Sequence, residues 1–154
     1  MHLIVRSAAI VIASVLTLSL ASGAAIAGSA QEEANRKTVL AFYEKGLNQK
    51  DADAALAHVG DRYVQHNPNA ADGPDGFRKF IGFLREKFPN SHSEIKRSFV
   101  DGDYVILHVH AVREPGSRGN AIVDIFKLEN GKVVEHWDVV QPVPENPANN
   151  NTMF

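Results

Sequence analysis

The amino-acid sequence predicts an α+β domain whose helices cover one face of a curved sheet. Three observations carry that expectation. Apolar residues recur at three- and four-residue spacing up to Phe88, and they alternate with polar ones in most of the chain after Ser91. The alternating segments are joined by tight-turn chemistry, Asp101-Gly102 and "ENG", which favours antiparallel neighbours. Helices first and antiparallel strands second is the order in which one layer of helices packs on one sheet.

Taken in order, the chain opens with Arg6, an apolar stretch from Ala8 to Ala21, and the small residues of "ASGAAIAGSA". Ala25-Ile26-Ala27 fits a signal-peptidase site, so residues 1–27 are expected to be a cleaved signal peptide. The apolar run is short for a bilayer span of about 20 residues. The mature chain, 28–154, is then one exported domain, periplasmic or secreted, with no membrane attachment after cleavage. Val39, Leu40, Phe42, Tyr43 and Leu47 mark an amphipathic helix from Gln31 to Asn48. Asp51 can cap a second helix, "ADAALAHVG", for which Gly60 is a suitable end. "RYVQH" alternates too briefly for more than a short strand, and "NPNAADGP" is turn chemistry. Pro74 is placed to start a third helix whose Phe77, Phe80, Ile81, Leu84 and Phe88 share a face, and Pro89-Asn90 stops it. Four strands follow: "HSEIKRSFV", "DYVILHVHAV", "AIVDIFKL" and "KVVEHWDVVQ". The Pro- and Asn-rich tail 142–154 cannot continue the sheet.

Composition removes several functions. The formal net charge is −2 and the chain has no long basic run, so nucleic acid is not an expected partner. The absence of cysteine excludes disulfides, thiolate nucleophiles and Cys-bound zinc together. A small apolar or aromatic ligand is the expected partner, held in a pocket that a domain of this size can enclose.

The polar residues inside the predicted sheet carry the functional question. Val105, Leu107, Val109 and Ala111 share one face of "DYVILHVHAV", while Tyr104, Ile106, His108 and His110 share the other. Asp124 stands between Ile122 and Phe126 on one face of the next strand, where an unpartnered carboxylate would be costly. Burial would raise its pKa toward neutrality, as suits a general base. Four readings of the histidines follow. They are structural residues satisfied by neighbours. They are metal ligands in a cupin-like His-x-His arrangement with Glu114, which His136 and Asp138 could complete. His110 and Asp124 are a proton-transfer pair. Or the same polar groups only bind a ligand, in a carrier or sensor.

The segments "YVQHNPNAADGPDGF" (Tyr63 to Phe77) and "DIFKLENGKVVEHWDVVQPVPE" (Asp124 to Glu145), with the ending "NNNTMF", resemble the SnoaL-like polyketide cyclase group, the predicted aldol-condensation enzymes, of the nuclear transport factor 2-like superfamily. The resemblance extends over Gln31 to Phe154. It implies a cone-shaped α+β barrel, three helices wrapped by a strongly bent mixed sheet, with a pocket inside the cone and dimers common. The outward apolar face of "AIVDIFKL" would be the homodimer contact. The resemblance further implies Asp124 as acid/base, with His110 on the preceding strand beside it. Tyr63, His66, Asn67, His108 and Trp137 would bind substrate, and no metal or organic cofactor is implied. The activities it suggests are aldol-type cyclisation, isomerisation or lyase chemistry. An exported non-catalytic binding protein and a cupin-like metal protein are the alternatives.

Overall fold

The computed structural model describes residues 21–154, with side chains from Ala30 onward. The expected signal peptide therefore lies outside the described residues, except for 21–27, whose backbone begins the first helix. Helix α1 (Ala21–Tyr43) runs into a single π turn, Glu44–Asn48, closed by Gln49 N donating to Glu44 O. Within that turn Gly46 lets a neighbouring ring approach, because a Cβ there would lie 2.8 Å from Phe77 Cζ. Asp51 caps α2 (Ala52–Leu56), its carboxylate accepting from Ala54 N at 2.9 Å. Helix α3 (Gly73–Lys87) starts with Pro74 in its first turn and buries Phe77, Ile81 and Leu84.

The end of α2 differs from the sequence expectation. Helix α2 stops at Leu56, and Val59 and Gly60 already belong to strand β1 (Val59–Gln65). Gly60 is suited to the strand because a Cβ would lie 3.0 Å from Val134 Cγ1, so the small residue serves strand packing and not a helix end.

The remaining strands are β2 (His92–Asp101), β3 (Tyr104–Val112), β4 (Asn120–Glu129) and β5 (Lys132–Pro142). They form one mixed sheet in the order β1-β5-β4-β3-β2, with β1 parallel to β5 and the other pairs antiparallel. Pro142 thus ends a strand, and the tail begins one residue later than expected. Asn130 (φ 51°) and Gly131 (φ 72°) make the β4–β5 turn with both residues in the left-handed region, as a two-residue hairpin of matching twist requires. The helices cover one face of the sheet. Between them lies a core of Val39, Phe42, Tyr43, Tyr63, Phe77, Leu107, Val109, Phe126 and Val133, among others. This is the α+β arrangement, helices on one face of the sheet, that the order of elements predicts, in the cone form that the resemblance implies.

Two irregularities decide which side chains enter the cone. A bulge shifts the β4–β5 register between Lys127 and Leu128, so that Phe126 pairs with His136 and Asp124 with Asp138. Counting out from the Glu129–Lys132 pair without it would set Asp124 opposite Trp137. The β3–β4 ladder sets Leu107 opposite Asp124 and His110 opposite Ala121. Opposed residues share a face, so the inner face of β3 is Val105, Leu107, Val109 and Ala111, and His108 and His110 project outward.

Candidate functional site

The inner faces of β1, β4 and β5, closed by the end of α1, assemble a buried polar floor in a mostly apolar pocket of about 200 Å³. Asp124 is 4% exposed. Its Oδ1 lies 2.9 Å from His136 Nε2, and its Oδ2 accepts from the Tyr43 hydroxyl at 3.2 Å. His136 Nδ1 in turn lies 3.0 Å from Gln65 Oε1, which the parallel Gln65–His136 pairing places on the same face. That oxygen also accepts from Asn67 N at 2.9 Å. A backbone amide only donates, so the shared atom acts as acceptor and His136 Nδ1 must carry hydrogen. Asn67 Nδ2 donates to Asp138 Oδ2 at 2.7 Å.

These contacts fix the proton inventory of the floor. With Nδ1–H committed to Gln65, the Nε2 of His136 either accepts a proton from Asp124 or donates one to it, so the pair shares one proton. Burial is the main cause raising the Asp124 carboxyl above its ordinary range, while the hydrogen bond and charge of His136 pull it down. Burial and the neighbouring Asp124 raise the Tyr43 phenol well above its ordinary value, and Tyr63 moves the same way. Both tyrosines therefore remain hydroxyl donors. Phe42, Phe77, Phe80, Leu84, Ile122 and Phe126 supply apolar wall. Ligand atoms of Asp124, His136 and Asp138 lie within 4.8 Å of one another, a set able to chelate a divalent cation, although each residue already has a protein partner.

The residues singled out in the sequence divide between the two faces. Asp124, Tyr63 and Asn67 line the pocket. His110 does not stand beside Asp124: its Nε2 lies 2.8 Å from Arg118 O, and its ring packs 4.4 Å from that of Phe154 on the outer face. His108 is on the same outer face, with Nδ1 2.8 Å from Arg97 Nη1 and its ring stacked on Phe154. Neither has a place in the pocket, which also removes the geometric ground for a cupin-like His-x-His centre. His66 and Trp137 likewise stand apart from the pocket. They stack on each other at 4.6 Å, and His66 Nε2 pairs with Glu135. In β1 the two-residue period explains the split, since Tyr63 and Gln65 share the inner face with Asn67 while His66 falls between them.

The sequence reading missed Tyr43, Gln65, His136 and Asp138 as parts of one floor. The signal for two of them was the spacing in "EHWD", which puts His136 and Asp138 on one face of a strand next to the one carrying Asp124. Choosing that face correctly required the bulge.

Helices packed against one face of a bent five-stranded mixed sheet give this chain a nuclear transport factor 2-like fold. The SnoaL-like domain model matches residues 39–136, and the chain belongs to that family. No curated protein matches. Among solved structures, an NTF-2-like protein from Burkholderia xenovorans is similar at 20% identity, covering 77% of this chain and 91% of its own, with TM-score 0.61. A candidate polyketide cyclase from Acidithiobacillus ferrooxidans shares 17% identity over 70% of this chain and 87% of its own, TM-score 0.59. AclR from Streptomyces galilaeus, described as a candidate hydroxylase, shares 21% over 71% and 90%, TM-score 0.58. At these identities the likeness is one of fold.

Proposed function

We propose that this protein is a SnoaL-like small-molecule enzyme in which Asp124 and His136 perform acid/base chemistry on a carbonyl compound, in the aldol-type cyclase, isomerase or lyase class. The observation that supports the reading is the buried Asp124–His136 pair, 2.9 Å apart, opening into an apolar pocket with a tyrosine hydroxyl on the second carboxylate oxygen. A carboxylate held in that setting can accept the proton from a carbon next to a carbonyl, leaving an enolate. In an aldol closure the enolate carbon bonds to a second carbonyl carbon, and the shared proton passes from the pair to the new alkoxide. Isomerisation returns the proton to a different carbon, and lyase chemistry runs the closure backward. A cavity of about 200 Å³ is below the roughly 300–1,000 Å³ of pockets for drug-sized ligands, so a compact substrate suits it. A binding-only protein is the second reading. It is favoured by the floor's mutual satisfaction, since Asp124, His136 and Asp138 all have hydrogen-bond partners without a ligand. The expected place of action is outside the cytoplasm, which intact-mass measurement on periplasmic protein tests through loss of residues 1–27.

The deciding experiment begins with mass spectrometry of small molecules that copurify with the protein. Turnover of the identified compound, or of aldol donors related to it, is then measured in Asp124→Asn. Asparagine keeps shape and hydrogen bonding but cannot take a proton as the carboxylate does. Turnover is expected to fall by about 10²–10⁴ with binding nearly kept. Turnover that survives the substitution would sink the assignment of Asp124.

A further inference from the structure

Strand β1 ends at Gln65, and the turn that follows it carries two backbone donors of fixed direction. Asn67 N donates to Gln65 Oε1 at 2.9 Å, and Asn69 N donates to Asn67 Oδ1 at 2.8 Å. Pro68 between them has no N–H, and Ala70 N closes the turn by donating to Asn67 O at 3.1 Å. A side-chain amide turned over exchanges its oxygen for its nitrogen. Turned over, Gln65 would set Nε2 against Asn67 N, and Asn67 would set Nδ2 against Asn69 N, two donors facing each other in both cases. Both amides are therefore held one way round. Gln65 presents its oxygen to His136 Nδ1 at 3.0 Å and its nitrogen to the Tyr63 hydroxyl at 3.5 Å. Asn67 presents its nitrogen to Asp138 Oδ2 at 2.7 Å. The hydrogen-bond polarity of the floor thus originates in the backbone of the turn beside it.

That polarity decides what His136 can do. An imidazole with no acceptor at Nδ1 satisfies a neighbouring carboxylate in the simplest way, by carrying its one hydrogen on Nε2 and donating it. Such a pair holds one proton fewer, and Nε2 then has no lone pair with which to take another. Gln65 closes that route: with Nδ1–H donated to Oε1, Nε2 is the nitrogen left to exchange a proton with Asp124, 2.9 Å away. Backbone pairing holds the contact, because Gln65 and His136 are register partners in β1 and β5 and His66 N donates to His136 O at 2.9 Å. We infer that Gln65 is the positioning residue of the pair: oriented by the Asn67 amide, it fixes His136 in the Nδ1–H tautomer, so that proton exchange with Asp124 runs through Nε2 alone. The role in turnover rests on the acid/base reading proposed above, whereas the tautomer does not.

The test is nitrogen NMR of the protein labelled in its histidine rings, since protonated and bare ring nitrogens differ widely in shift. The His136 signals are those lost in His136→Gln. At mildly alkaline pH the wild-type Nδ1 is expected to be protonated. Gln65→Met keeps the length of the side chain but removes the acceptor, and the hydrogen should move to Nε2 and leave Nδ1 bare. Gln65→Glu offers an oxygen to both Nδ1–H and Asn67 N, and it should restore the protonated Nδ1. With a substrate in hand, kcat of Gln65→Met should fall by about 10²–10⁴, toward the loss that a wrong histidine tautomer causes in a Ser-His-Asp triad, and Gln65→Glu should recover most of it. A glutamine that only supports the fold would cost stability in Gln65→Met and leave Nδ1 protonated. That result, a bare Nδ1 in the wild type, or failure of Gln65→Glu to restore the hydrogen would overturn the inference, and the wild-type and glutamate spectra decide it even where the methionine variant does not fold. Because the tautomer is read without turnover, it can fail while Asp124 stands as the acid/base, and the reverse.

Discussion

His136 Nε2 lies 2.9 Å from Asp124 Oδ1 because one bulge in the β4–β5 hairpin turns His136 inward. The same bulge turns Trp137 out to stack on His66. The identity of the proton partner of Asp124 is thus a consequence of register, and the register can be tested through chemistry.

If the pair acts as proposed, His136→Gln should lower turnover by about 10²–10⁴, in the range expected for loss of a positioned acid/base group. His110→Gln, on the outer face against Arg118 and Phe154, should leave turnover within about twofold. Steady-state kinetics of the two variants side by side checks this. A large loss in His110→Gln with none in His136→Gln would return the proton partner to β3.

Much of the fold was legible in the sequence, and the division of its polar residues between faces was less so. Helical spacing located α1 and α3, Asp51 and Pro74 marked helix starts, and Asn130-Gly131 marked the β4–β5 hairpin, because each is a local preference of a few neighbouring residues. Asp124 was legible too, as a carboxylate between Ile122 and Phe126. Its partner was not. Alternation says that His108 and His110 share a face but not which face looks inward, and the loop between β3 and β4 is too long to set register by itself. In β5 both Val133 and Val134 are buried, so the extra residue of the bulge hides within an apolar pair. Tyr43 and Gln65 come from elements far apart in sequence and meet only in the folded cone.

Stability should carry the signature of the buried carboxyl. Asp124 titrates higher in the folded chain than its ordinary value of 3.8, chiefly through burial. Between that value and its raised one the folded state binds more protons than the unfolded, so the unfolding free energy falls as pH rises through this window. The contribution is fully present below the unfolded value and is lost above the folded one. Denaturant unfolding at successive pH values from 3.5 upward should show this slope in the wild type and a flatter one in Asp124→Asn. Parallel pH curves for the two proteins would contradict the raised carboxyl.

Two glycines of α3 should respond oppositely to alanine. A Cβ on Gly76 would lie 2.1 Å from the Ala71 carbonyl oxygen, a backbone atom that cannot swing aside, whereas Gly82 has nothing within 4 Å. Gly76→Ala is expected to destabilise by about 3 kcal/mol, the upper part of the usual overpacking range. Gly82→Ala should stabilise by about 0.5–1 kcal/mol through helix propensity. Chemical denaturation measures both, and a neutral Gly76→Ala would mean that the turn before α3 yields easily.

The last prediction concerns the sheet's outer face. Val123 and Val139 are directly opposed in the β4–β5 ladder and face away from the helices, and Val139 is 69% exposed. Ile125 and Trp137 are the next outward pair, with the half-exposed Tyr104 ring 6.5 Å from Trp137. Such a contiguous apolar surface on a sheet covered by helices on one side only is what a second copy would bury. The C-terminal tail covers a different part of this face, where Phe154 lies on His108 and His110, and leaves the valine pair open. A two-fold contact places the same residues on both copies, so one introduced charge is met by its own image. Val139→Lys should therefore convert a wild-type dimer to monomer at micromolar concentration, with a circular dichroism spectrum that is unchanged because the side chain packs against nothing inside the cone. Light scattering on both proteins decides it: a wild type that already runs as a monomer, or a lysine variant that remains a dimer, would remove this face as the contact between copies.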